Sequence, residues 1–112
     1  MAGKSSRKAG ALRPGAAQEI GPHAARAAAL LKALANEQRL MILCTLVGGP
    51  LSVSELNERV ALSQSALSQH LAVLREADIV ATTREAQSIR YELPAGIATD
   101  IINLLHREFC ER

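Results

Sequence analysis

The stretch SVSELNERVALSQSALSQHLAVLREA, residues 52–77, decides how this chain folds. Ser52 followed three residues later by Glu55 reads as a capping box, in which each side chain satisfies a backbone N–H that the helix leaves unpaired. The short helix it opens is expected to bury Val53, Leu56 and Val60. Ala61-Leu62 make a brief connection, and Ser63 caps a second helix. In that helix Leu67, Leu71 and Leu74 recur at helical spacing and form an inward stripe. Gln64, Ser65, Ser68 and Gln69 occupy the opposite face near its start. Two capped helices joined by a tight turn, the second with a polar leading end, make a helix-turn-helix.

Working outward, HAARAAALLKALA (23–35) is rich in Ala and Leu and is expected to be helical. Asn36 caps the next helix, whose spacing predicts a buried face of Leu40, Leu43, Cys44 and Val47; Gly48-Gly49-Pro50 ends it. Downstream, the β-prone runs 79–83 and 88–93 flank Arg84-Glu85-Ala86-Gln87, a hairpin with a four-residue polar loop. Pro94 stops it, and 95–110 returns to helix with Ile97, Ile101, Leu104, Leu105 and Phe109 along one side. A hairpin directly after the second helix is the wing of a winged helix. The expected fold is mainly α with a β-hairpin wing: a winged helix-turn-helix over residues 23–112, preceded by a disordered basic arm over 1–22.

Composition narrows the function. Apolar residues make up 48% of the 112-residue chain, yet it has one Tyr, one Phe and no Trp, so the core is aliphatic and aromatic platforms for stacking single-stranded bases are missing. The net charge is +2, and the arm holds Lys4, Arg7, Lys8 and Arg13 against Glu19, leaving the rest close to neutral. Affinity for a polyanion must therefore come from placed contacts. No apolar run suits a secretory signal or the ~20 residues of a membrane span, so a cytoplasmic setting without membrane contact is expected. There thiols are held reduced. Nothing resembles a phosphate loop, a nucleophile elbow or a carboxylate pair, and neither an enzyme nor a cofactor is expected.

In a helix-turn-helix the leading end of the second helix reaches base edges in the major groove of double-stranded DNA. Gln pairs with adenine and Ser donates or accepts, so Ser63, Gln64, Ser65, Ser68 and Gln69 are candidate readers. His70 beside them is a phosphate contact or a satisfied surface group, while Arg84 and Arg90 flank the wing tip, where cations meet phosphates or the minor groove. The chain has two cysteines, Cys44 and Cys110, outside any close-spaced metal cluster. Cys44 sits among apolar residues, which raise a thiol pKa and suit core filling. Cys110 has His106, Arg107 and Arg112 nearby, which favour a thiolate. A metal site from Cys44, Cys110 and His106 is the weaker alternative, since a closed zinc site takes about four ligands.

The segments LLKALANEQRLMILCTL and LSVSELNERVALSQSALSQHLAVLREADIVATTREAQSIRYEL together resemble the ArsR/SmtB family of dimeric winged-helix repressors. Where metal-sensing members carry a Cys-Val-Cys motif, this chain has Ser52-Val53-Ser54, and Asp100 is followed by Ile101-Ile102 rather than the zinc sensors' histidine pattern. No metal is therefore expected. Cysteines in the second and last helices are instead similar to the HlyU/BigR/SqrR subgroup, whose members sense reactive sulfur or oxidant species. The resemblance implies that Cys44 and Cys110 form a redox switch, linked on oxidation through a disulfide or extra sulfur atoms, with release of DNA. It also implies a homodimer on a pseudo-palindromic operator, as a repressor or as an activator that displaces a silencer. The competing readings are a metal-responsive repressor and a thiol redox protein or adaptor that does not bind DNA.

Overall fold

The computed structural model describes residues 14–110. In chain order it holds α1 (Ala16–Ile20), a 3-10 turn (Gly21–His23), α2 (Ala24–Leu34), α3 (Glu37–Leu46), β1 (Leu51–Ser52), α4 (Val53–Arg59), α5 (Gln64–Glu76), β2 (Ala81–Glu85), β3 (Ser88–Glu92) and α6 (Ile97–Cys110). The arm expected over 1–22 is helical at its end, because Ala16–Ile20 is a run of helix formers and Pro22 suits the opening of the 3-10 turn. Residues 1–13 and 111–112 lie outside the described residues.

Three caps stand where the sequence places them. Asn36 Oδ1 accepts from the Arg39 N–H at 3.0 Å. Ser52 and Glu55 form the reciprocal box, with Ser52 N–H donating to Glu55 Oε1 at 2.8 Å and Glu55 N–H to Ser52 Oγ at 3.2 Å. Ser63 Oγ accepts from Ala66 N–H at 3.2 Å. Asn57 Nδ2 donates to Leu62 O at 2.9 Å, tying α4 to the turn that leads into α5.

The core is aliphatic apart from Tyr91. Leu67, Leu71 and Leu74 of α5 meet Ile42, Leu43 and Leu46 of α3, Leu56 of α4 and Ile102 of α6, with Ile79, Val80 and Tyr91 closing the wing side. The face expected for α3 is turned: Ile42 and Leu46 are buried, Leu40 and Cys44 half-buried and Val47 exposed. With Leu40-Met41-Ile42-Leu43-Cys44 in succession, several faces of this helix are apolar and periodicity does not choose among them. The side expected for α6 also divides. Ala98 and Ile102 enter the core, Ile101 and Leu105 are half-buried, and Ile97, Leu104 and Phe109 face outward.

The strands depart from expectation too. Ile79 and Val80 belong to no strand. The Ile79 N–H donates to Leu74 O at 2.9 Å and Asp78 N–H to Arg75 O at 3.0 Å, with Asp78 at φ 58. These two bonds close α5 with a Schellman motif, and the apolar residue that follows packs back on the helix. Arg84 and Glu85 continue β2, so Ala86-Gln87 alone turn the hairpin. β1 adds a third strand, giving the antiparallel order β1-β3-β2 with Leu51 opposite Tyr91 and Ser52 opposite Arg90.

Candidate nucleic-acid interface and thiol pair

At the leading end of α5, Ser63, Gln64, Ser65, Ser68 and Gln69 are all exposed. Because Leu67, Leu71 and Leu74 fill the core, this polar face is turned away from it by the helical period. Ser63 Oγ is engaged as the cap of α5, and the side-chain donors and acceptors of Gln64, Ser65, Ser68 and Gln69 are available to a partner's edge groups.

His70 is placed differently. Its ring is half-buried against α3, with Nε2 2.9 Å from Gln38 Oε1 and Nδ1 3.4 Å from Arg39 Nη1. The same arginine donates from Nε to Ala33 O at 2.6 Å and from Nη2 to Lys32 O at 3.3 Å, closing the carbonyl end of α2. Both ring nitrogens of His70 thus have partners within the fold. Arg39 and Gln38 escaped the sequence reading. The available signal was an arginine in a mostly apolar helix with no acid three or four residues away.

The wing arginines lie on opposite faces of the hairpin. Arg84 pairs with Ile89 across the ladder and Arg90 with Thr83, and successive pairs alternate faces. Arg84 is exposed and makes no ion pair among the described residues. Arg90 donates to Pro50 O at 3.0 Å and pairs with Glu55 at 3.5 Å and Glu85 at 3.8 Å. It binds the wing to the start of α4. The Glu55 carboxyl is held below its usual pKa, first by the Ser52 N–H, then by the Ser52 hydroxyl, Arg90 and Arg59, against an opposing effect of burial.

Both cysteines are free thiols, Cys44 half-buried on α3 and Cys110 exposed at the end of α6. Burial pushes the Cys44 thiol up, and negative charge on Cys110 pushes it further. The apolar surroundings read from the sequence thus act on Cys44 in the expected direction. Among the described residues no group of three or more His, Cys, Asp or Glu is arranged to hold a metal ion. Nor is any described helix long and apolar enough to cross a membrane.

A profile of bacterial regulatory proteins of the arsR family matches residues 36–82, from the cap of α3 to the start of the wing. The transcriptional activator HlyU of Vibrio cholerae is 52% identical over 84% of this chain and 87% of its own. The chain belongs to the ArsR family. The biofilm growth-associated repressor of Xylella fastidiosa is 42% identical over 83% of this chain and 82% of that relative. The structure of reduced HlyU from Vibrio cholerae superposes with a TM-score of 0.77 at 52% identity, covering 84% of this chain and 99% of that one. The ArsR family supplies DNA-binding regulators of transcription, so the chain is a winged-helix transcription regulator of the HlyU/BigR-like kind and not an enzyme.

Proposed function

We propose that this regulator is a two-fold homodimer that reads a pseudo-palindromic operator with α5 and releases it when Cys44 and Cys110 become linked by an oxidant or a reactive sulfur species. The observation that carries the switch is the placement of two free thiols, Cys44 on α3 and Cys110 at the end of α6, on elements that pack together. Linking them joins the core helix of the DNA-binding half to the helix whose outer face is apolar. In the simplest reaction two thiols give two electrons and two protons to a peroxide, forming a disulfide and two waters. A sulfur donor leaves extra sulfur in the bridge, which spans a longer gap than the ~4.4–6.8 Å between Cα atoms that a disulfide tolerates.

Ser63, Gln64, Ser65, Ser68 and Gln69 are the proposed readers and Arg84 the proposed wing contact. Dimerisation is supported by Ile97 and Leu104, which leave large apolar side chains uncovered on α6. A two-fold pair sets two recognition helices about one DNA turn apart, ~34–36 Å. The relatives include an activator and a repressor, so the switch is written for grip on DNA and not for the sign of transcription.

Intact mass spectrometry paired with DNA binding tests the reading. Treatment with a persulfide donor is expected to add sulfur mass, cross-link Cys44 to Cys110 and release DNA. Moving from mostly bound to mostly free requires ~10⁴-fold weaker binding, about 5.5 kcal/mol. Cys44→Ser and Cys110→Ser each keep DNA binding and lose the cross-link. Equal release by wild type and the double-serine variant ends the proposal; loss of response in one variant alone reduces it to a single-thiol sensor.

A further inference from the structure

We propose that His70 is a positioning residue of the recognition helix, acting as its neutral tautomer, rather than a phosphate contact; this rests on the reading that α5 meets DNA. The two ring nitrogens face partners of opposite kind. A guanidinium has hydrogens to donate and accepts nothing, so the nitrogen 3.4 Å from Arg39 Nη1 must carry no proton. That leaves the proton on Nε2, where Gln38 Oε1 accepts it at 2.9 Å. One ring state therefore serves both bonds, and it fastens the middle of α5 to the first turn of α3.

Arg39 is itself held in place. Its guanidinium donates to Ala33 O at 2.6 Å and Lys32 O at 3.3 Å, and its N–H to Asn36 Oδ1 at 3.0 Å. It is fixed at both ends and has little freedom to withdraw from the ring. A second proton on His70 would place an N–H against a group that has only N–H to offer, and set two cations side by side. Arg39 is the charged group bonded to the ring from α3. From α2 only backbone carbonyls enter the cluster, and Lys32 and Glu37 make no ion pair among the described residues. On α5 itself the nearest charges, Arg75 and Glu76, lie more than a turn away.

The two roles differ in sign. A phosphate contact gains from protonation, because an imidazolium attracts the backbone of DNA. The clamp loses from it, so DNA binding should be stronger with the ring neutral than with the ring protonated, and should weaken on acidification.

The test uses the reduced full chain and a duplex enriched by the wild-type protein from a random-sequence library. Affinity is measured by fluorescence anisotropy at constant ionic strength over a series of pH values. Wild type is expected to weaken about five-fold on acidification, the worth of one neutral hydrogen bond. His70→Gln cannot titrate, keeps an N–H for Gln38, and should bind at every pH close to the high-pH wild type. His23 and His106 remain in that variant and control for other titrations. His70→Ala and Gln38→Ala are expected to weaken binding about five-fold at high pH. Tightening on acidification that His70→Gln abolishes would overturn the proposal in favour of a phosphate contact. Wild-type affinity in a folded His70→Ala would also overturn it; if that variant fails to fold, Gln38→Ala and the pH profile decide. A Gln64→Ala/Ser68→Ala variant separates the two readings. If it binds as wild type, α5 is not the reader and both fall. If it weakens while wild type shows no pH effect and Gln38→Ala none, the positioning role alone falls.

Discussion

Replacing Ile97 and Leu104 together with serine is expected to split the proposed dimer while leaving the fold standing. The residues are seven apart on α6, two turns along one line of the helix, and are 65% and 57% exposed. Fully burying such a side chain is worth about 1.5–3 kcal/mol, so covering the exposed portions contributes about 3 kcal/mol per protomer. Symmetry doubles this to about 6 kcal/mol, about four powers of ten in dissociation constant. Sedimentation equilibrium across a concentration series reads it directly. Ile102→Ala, removing a side chain with 0% exposure on the same helix, serves as the contrast. It should cost about 2–5 kcal/mol of folding stability by chemical denaturation. The reasoning is refuted if the double-serine chain and wild type dissociate over the same concentrations, or if wild type is a monomer where it occupies its DNA site.

Four further outcomes follow from local geometry. Arg84→Ala should weaken binding to all duplexes alike and reduce the salt slope by about 1, whereas Arg90→Ala should lower the melting temperature and leave the slope unchanged, in paired salt titrations and thermal melts. Alkylation of Cys44 should need a pH above the ordinary thiol range of about 8.5, and Cys110→Ser should bring its midpoint down by removing the neighbouring charge. Ser52→Ala should cost about 1 kcal/mol by urea denaturation. Because the Glu55 pKa is depressed in the fold, its contribution is present above the ordinary carboxylate pKa and lost as pH falls through the folded value; Glu55→Gln should flatten that part of the stability profile.

What was legible in the sequence was whatever a one-sided period or a local cap dictates. α5 is apolar on a single stripe, and Leu67, Leu71 and Leu74 are all buried. The caps at Asn36, Ser52 and Ser63 depend on residues three apart and were equally plain. α3 was misread because it is apolar on more than one side, so the choice between Val47 and Leu46 falls to its neighbours in space. Ile79 and Val80 have the branched side chains of a strand, yet the left-handed Asp78 takes them into a helix ending. A strand of two residues, Leu51–Ser52, exists only through its partner and has no pattern of its own. For the candidate site, Gln64, Ser65, Ser68 and Gln69 stand exposed as expected, while the side-chain hydrogen bonds of His70 and Arg90 run to residues 31 or more positions away. No reading of neighbours along the chain reaches that far.

The position of β3 in the middle of its sheet has a geometric consequence for target choice. A free hairpin tip swings and can follow a groove of any width. Here β3 is bonded on one side to β2 and on the other to Leu51–Ser52, the residues that open α4, and Arg90 fastens the same corner. The wing and the first helix of the reading unit therefore form one solid piece, and the span from Arg84 to the leading end of α5 is a set length, like the jaws of a fixed gauge. Under the proposed docking, duplexes whose grooves already match that length would be engaged without distortion, and those that do not would have to bend to fit. Sequences would then be ranked partly by how easily they deform, at base pairs the protein never touches.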